Sequence, residues 1–333
     1  MAAMLYGVDM SRLARIIALL RLTTLSVILF IMSSAIGAAL YVNGNVQQLS
    51  GERFNQTVDR LDTHILERMG NYADLLYSSR SYAVSTTQVT QEQWNAFFRN
   101  QSTFDRHPGI STVSYLRFFN NAQKSDFLRQ MQAQPYFGGK KFAIRPAGTR
   151  DRYAVIQYVS TNNDVKGTFG IDSYAGRPQR QAMDTAVGTG LPQATELFTL
   201  GSGKKGFAIF LPAYKNDAVD GFSMISFRTE DFIKALFTYP EPHMRYKIAD
   251  VSDRSAPQVL HHSANWQDGL DLERKDTIDI MGRQWEVTFA ADSSYNVSMH
   301  ARILPVLIVL VGVLLIAPVL IAFRKLTGAG SSS

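Results

Sequence analysis

Two stretches of the chain, residues 22–42 and 303–323, are each 21 residues long and carry no charge. Between them lies a polar segment of 260 residues, 43–302. Each apolar stretch has about the length a helix needs to cross the hydrocarbon core of a bilayer, which predicts two transmembrane helices. The first is too long for a cleaved signal peptide, and no small-residue cleavage site stands before the helix that follows, so it reads as a retained anchor. From residue 43 to 80 the pattern changes. Phe54, Val58, Leu61, Ile65, Met69, Tyr72 and Leu76 recur at three- and four-residue steps, the apolar stripe of a stalk helix. That stripe either packs on its own domain or meets the same helix of a second subunit, giving a homodimer.

Residues 81–302 read as an alternation of short helices and strands. Thr90 and Gln93 have the spacing of a capping box, opening a helix that carries Trp94, Phe97 and Phe98. Strands are expected over 110–118, 153–159, 206–214, 222–227 and 244–250, with a closing hairpin over 277–281 and 284–290. A short strand-like segment is expected to end at Asp172. Helices are expected over 120–133 and 229–236, and another carries Arg180, Met183 and Val187 and stops at Gly188 and Gly190. The fold class that follows is α+β: a PAS-like architecture of two lobes on a long N-terminal helix, flanked by two transmembrane helices.

Charge adds an orientation. Arg12, Arg15 and Arg21 precede the first span, and Arg324 and Lys325 follow the second, which puts 1–21 and 324–333 in the cytoplasm. Of 34 Lys and Arg, setting those five aside leaves 29, and of 28 acids setting Asp9 aside leaves 27. The outward-facing segment is therefore only +2, and no nucleic-acid footprint is expected. The chain has no cysteine, so a domain outside the cell would rely on the size of its core. The last ten residues are too few for a folded output domain. They suit a flexible linker, or the end of a protein that signals through another subunit.

The stretch from 153 to 214 carries the clearest arrangement. Gly170-Ile171-Asp172 is followed by Arg180, Ala182, Ala186 and the pair Thr189-Gly190; Gly206-Phe207 then leads to Leu211-Pro212-Ala213-Tyr214. Upstream, His107-Pro108-Gly109 precedes an apolar strand, and downstream Gly282-Arg283-Gln284-Trp285 opens the last one. In residue types and order this resembles the CHASE domain, the extracytoplasmic ligand-sensing module of plant cytokinin receptors and many bacterial sensor proteins, over about residues 50–300. The resemblance implies a sensor domain over 81–302 and a cytoplasmic histidine kinase or cyclic-di-GMP enzyme as recipient of its signal. In the cytokinin receptors an aspartate after the first of these strands and a threonine after the helix read the adenine ring. Aligned on Asp172 and Thr189-Gly190, the aspartate position falls on Asn163, with Asp164 beside it, and the threonine on Thr195. An asparagine both donates and accepts where a carboxylate only accepts, so it offers a purine a different pattern.

A receptor hollow is mostly apolar with a few orienting polar groups. Its aromatic lining is expected from Tyr153, Tyr158, Phe169, Phe198 and Phe210, with Asn163, Asp164 and Thr195 at its mouth. Arg180 either pairs with Asp172 or Asp184 on the helix surface or faces an anionic ligand. Catalytic patterns are missing. The six histidines form no metal-ligand spacing, His261-His262 read as a surface loop, and Gly201 to Gly206 lack the spacing of a phosphate loop and read as a hairpin turn. Asp250 and Asp253 read as solvated turn acids. No enzyme activity and no cofactor are expected. The sequence reading is a sensor in the inner membrane, with 43–302 periplasmic, that binds a small molecule and signals through its spans; the alternative is a membrane-tethered adaptor or structural protein that binds another periplasmic protein.

Overall fold

The computed structural model describes residues 10–85, 89–137, 141–161, 168–201, 203–237 and 243–328. Its backbone divides into two compact units: residues 1–56, 270–272 and 291–333 form the first, and 57–269 with 273–290 the second. A single helix, α1 (Met10–Ser85), runs through both. The expected boundaries at 42/43 and 80/81 therefore fall inside one uninterrupted helix.

In the first unit, α1 and the C-terminal helix α7 (Met299–Gly328) are long and apolar enough to cross a membrane, by length and composition. Their apolar side chains point outward: Leu29, Phe30 and Leu314 are 71%, 72% and 71% exposed. A Cβ added to Gly312 would stand 2.5 Å from that of Ala35, so a glycine is what lets the two helices approach there. Below them Phe54 meets Tyr295 edge-on with ring centres 5.8 Å apart, and the Ser50 hydroxyl donates to the Tyr295 carbonyl at 3.1 Å.

The second unit is α+β and holds two antiparallel sheets. After α2 (Gln91–Asn100) and the one-turn α3 (Thr103–Arg106) come β1 (Ile110–Asn120), α4 (Lys124–Gln132) and β2 (Arg152–Thr161). Next are α5 (Arg177–Thr189), the two-residue strands β3 (Gln193–Ala194) and β4 (Phe198–Thr199), β5 (Lys205–Lys215), β6 (Ala218–Arg228) and α6 (Thr229–Leu236). The strand order of this first sheet is β2-β1-β6-β5-β3, with β4 also paired to β5. The second sheet, β8-β7-β10-β9, is built from β7 (Arg245–Asp250), β8 (Gln258–His262), β9 (Leu272–Asp279) and β10 (Gln284–Ala291).

Local chemistry accounts for several of these elements. Thr90 caps α2 through both halves of its capping box, accepting from Gln93 N while the Gln93 side chain accepts from Thr90 N. Gly190 ends α5 in the left-handed conformation that a glycine adopts without strain. The hairpin β5–β6 turns through Asn216 and Asp217, both at positive φ, as residue types tolerant of that region do. On α1 the stripe residues Val58, Ile65, Met69, Tyr72 and Leu76 are buried within the second unit, so over this length the stripe packs on its own domain.

Three local expectations change. The segment before Asp172 is not a strand: Val155 of β2 bridges Asp172, and Arg145 bridges Ile171, each as an isolated pair. His261 and His262 lie on β8, because β7 offers their backbone a partner register at Ile248 and Lys247. Asp250 is buried rather than solvated, since Arg283 reaches its carboxylate at 2.6 Å. Glycines 201 and 203 do belong to a turn, closed by the Leu200 N–H on the Lys204 carbonyl at 2.9 Å.

Candidate functional site

The first sheet has two differently dressed faces. In an antiparallel pair, directly opposed residues share a face. Tyr158, Tyr115, Ser223 and Leu211 form one such row across β2, β1, β6 and β5. The Ser79 hydroxyl of α1 is hydrogen-bonded to that of Ser223, so this row marks the face covered by α1. The next row, Val159, Ser114, Met224 and Phe210, is on the other face, in one buried cluster with Ala182 and Met183 of α5 except for Ser114 itself, which is fully buried.

These rows sort the residues expected to line a ligand hollow. Phe210 faces α5. Phe198, opposite Gly206 on β4, takes the same side, and so does Thr195, whose N–H donates to Ala208 at 2.9 Å while its hydroxyl accepts from Ala208 N at 3.1 Å. Tyr158 takes the α1 face, stacked on Trp94 and Tyr115 at 5.7 and 6.4 Å. Tyr153 opposes Phe119, which has the same strand parity as Tyr115, and it too lies on that face. Phe169 is in the turn beyond β2, against Tyr136 and Phe137. The structure thus brings Thr195, Phe198 and Phe210 to one face; Tyr153 and Tyr158 take the other by register, yet Tyr153, like Phe169, shares one buried cluster with Phe210, and only Tyr158 stands apart from it. Asn163 and Asp164 lie outside the described residues. Arg180 donates to the Tyr174 carbonyl at 3.3 Å rather than pairing with Asp172 or Asp184.

The rows are aligned by a bulge. Tyr115 opposes Tyr158 but Leu116 opposes Ile156, leaving Gln157 as the extra residue of β2. Its amide donates to the Tyr158 hydroxyl at 3.0 Å. Gln91 of α2 pins the neighbouring turn of strand, donating to the Val159 carbonyl at 2.6 Å and accepting from its N–H at 3.1 Å.

Two polar features of this region are buried. Asp172 is buried and organises the edge: one carboxylate oxygen accepts from Ala154 N at 3.0 Å and Tyr174 N at 3.1 Å, and the other lies 3.4 Å from the Arg150 guanidinium. Burial pushes its pKa up, and the two N–H donors and Arg150 oppose the rise. Ser114 is the second. Its hydroxyl, on the α5 face between Val159 and Met224, has no hydrogen-bond partner among the described residues. A serine inside the apolar run of β1 is the only hint the sequence gives. On the α1 face, by contrast, the Tyr115 hydroxyl donates to Asp220 at 2.7 Å, and Asp220 is also paired with Arg117. Burial, and then the Asp220 charge, raise the Tyr115 pKa, so this phenol stays protonated. Among the described residues, no group of three or more His, Cys, Asp or Glu side chains is placed to hold a metal ion.

Comparison with known proteins places this arrangement. Residues 87–261, just over half the chain, match the family model described as the CHASE domain. No curated protein sequence matches the chain. Among solved structures, the chain is similar to a methyl-accepting chemotaxis protein X at 13% identity and a TM-score of 0.44, covering 74% of this chain and 98% of that one. It is also similar to the ligand-binding domain of the Pseudomonas aeruginosa PAO1 amino acid chemoreceptor PctC in complex with GABA, at 14% identity and a TM-score of 0.42, covering 69% and 94%. The ligand-binding domain of the Pseudomonas fluorescens chemoreceptor CtaA in complex with L-serine is similar at 11% identity and a TM-score of 0.43, covering 73% and 96%.

Proposed function

This chain belongs to the CHASE domain family, and from that premise we propose that it is an inner-membrane sensor whose residues 43–302 face the periplasm and bind a small molecule. The ligand enters between α5 and the face of the first sheet that carries Ser114, Thr195, Phe198 and Phe210. That surface supplies an apolar body and a few orienting polar groups, as a small-molecule site requires. The Arg and Lys residues beside the two apolar helices support the orientation, with both chain ends in the cytoplasm.

The observation that carries the reading is the continuity of α1. One helix contains an apolar span and, 30 residues on, the side chains of Tyr72 and Ser79 that touch the sensing sheet. A ligand that binds one arrangement of the sheet more tightly than another biases the helix by that difference in affinity. About 1–3 kcal/mol of such coupling is enough for a signal. The output is then a cytoplasmic histidine kinase or cyclic-di-GMP enzyme, and the chain itself acts as a binding protein rather than a catalyst. Pairing of two copies through the exposed side of α1 fits the same scheme.

The test is a thermal-shift screen of the full chain in lipid nanodiscs against adenine derivatives, amino acids, organic acids and peptides. A concentration-dependent rise with one class, lost in Thr195→Val, supports the receptor reading. No rise with any class, or a rise that Thr195→Val and Ser114→Ala leave unchanged, overturns the proposed site.

A further inference from the structure

A cleft of about 420 Å³ lies in the second unit, away from the α5 face of the first sheet. Its lining includes Lys204 and Lys205 where the β4–β5 turn enters β5, and Val259 and His261 of β8. The start of α6 closes one end. Its volume falls within the range of about 300–1,000 Å³ common to small-molecule sites.

The charges in this cleft are unevenly satisfied. Arg228 is already paired with Asp231 at 2.9 Å. Lys204 and Lys205 are exposed, and among the described residues neither is in an ion pair. Arg228, the N-cap of α6, accepts no backbone N–H of the first turn with its side chain, and Glu230 and Asp231 stand in that turn. Thr229, which lines the cleft, is 5% exposed, and its hydroxyl has no hydrogen-bond partner among the described residues. A buried hydroxyl left so is costly and calls for an acceptor. The remaining acid, Glu230, lies toward His261, whose pKa burial and the adjacent His262 lower. Apolar surface is present as well: Leu197 lines the cleft, and Val259 is 57% exposed on β8.

We propose that this cleft is a second binding site, taking a small aliphatic carboxylate. The carboxylate group meets Lys204 and Lys205 and accepts from the Thr229 hydroxyl, and the hydrocarbon body lies along Leu197 and Val259. Because Lys205 belongs to β5 of the first sheet and Val259 to β8 of the second, the bound molecule spans the two sheets.

Butyrate, pentanoate and hexanoate are the probes, with butylamine as the control of equal skeleton and opposite charge. Each is titrated into the full chain in lipid nanodiscs, read by saturation-transfer NMR and calorimetry against empty nanodiscs. At least one carboxylate is expected to bind and butylamine not to. The Lys204→Ala/Lys205→Ala variant is expected to weaken that binding about tenfold or more, the loss of roughly one charge-assisted hydrogen bond. Val259→Trp is expected to abolish it by filling the cleft, and Thr195→Val to leave it unchanged. Absence of binding by all three carboxylates, equal binding of butylamine, or affinity unaltered by the double lysine variant overturns the proposal. So does a loss confined to Thr195→Val, which assigns the carboxylate to the α5 face instead.

Discussion

The phenol of Tyr72 on α1 donates a 2.6 Å hydrogen bond to the carbonyl of Pro108, in the turn that leads into β1. Tyr72 is fully buried, with its ring 5.0 Å from Phe227 and 6.0 Å from Phe232. One residue thus ties the long helix to the turn, to β6 and to α6. Tyr72→Phe keeps the ring contacts and removes only the hydrogen bond. Its expected cost is about 0.5–1.5 kcal/mol of stability, measured as a lower denaturation midpoint with unchanged circular dichroism. A variant as stable as the parent would show that the bond adds nothing to the helix–sheet contact.

Farther along the same helix, charge governs the contact with the second sheet. Arg274 on β9 faces three carboxylates: Asp59 at 2.7 Å and Asp62 at 3.8 Å from α1, and Asp276 of its own strand at 2.9 Å. One guanidinium does not neutralise three acids. Burial first, then the hydrogen bond and charge of Asp276, raise the Asp62 pKa from 3.8 to about 7. The folded state thus holds this proton more tightly than the unfolded chain does. The stabilisation is complete below pH 3.8 and is lost as pH rises through about 7. Melting temperature against pH is expected to fall across that window in the parent and to flatten in Asp62→Asn. An equal slope in both would remove Asp62 as its source.

How much of this was legible from the residues depended on whether the signal was local. The capping box Thr90–Gln93 and the helix Thr229–Leu236 can be read directly, because each is fixed by chemistry within one turn. The stripe on α1 was equally plain, and only its partner was open. The β2 bulge was not legible. Tyr153 and Tyr158 are five residues apart and would fall on opposite faces of a regular strand, yet Gln157 as an extra residue turns both to the α1 side. Nothing within β2 announces that register, because the partner strand sets it. The two-residue β3 and β4, and the histidines of β8, likewise exist through pairing rather than propensity. Of the residues expected at the candidate site, Phe198, Phe210 and Thr195 share one face of the sheet, whereas Ser114 joins that face only through the strand register.

Asp172 shows the same dependence on tertiary structure. Its carboxylate holds Ala154 N and Tyr174 N together at the edge of the sheet. Asp172→Ala strands both donors, and a loss of about 1–3 kcal/mol for each buried group left unsatisfied is expected. Asp172→Asn retains the accepting oxygen and removes the charge. Because burial raises the folded-state pKa above the ordinary value, the parent loses stability as pH climbs past 3.8. The asparagine variant is expected to lack that loss while keeping most of the parent's stability near neutral pH. Paired denaturation curves at acidic and neutral pH measure both effects, and a variant with the parent's slope would contradict the assignment.

Ser114 separates stability from recognition. Its hydroxyl is buried on the α5 face without a partner among the described residues, beside Met224 of β6 and two strands from Phe210 of β5. An unpaired buried hydroxyl weakens the fold it sits in, so Ser114→Ala is expected to leave the ligand-free protein as stable as the parent or more so, by up to about 1 kcal/mol. If the face is the sensing hollow, the same hydroxyl is the group a ligand satisfies on entry. Ligand affinity is then expected to fall about tenfold in Ser114→Ala, the size of one hydrogen bond in a closed site. Opposite signs for the two measurements, stability kept and affinity lost, are what a purely structural serine cannot produce. A variant that loses stability and keeps its affinity would move the ligand off this face.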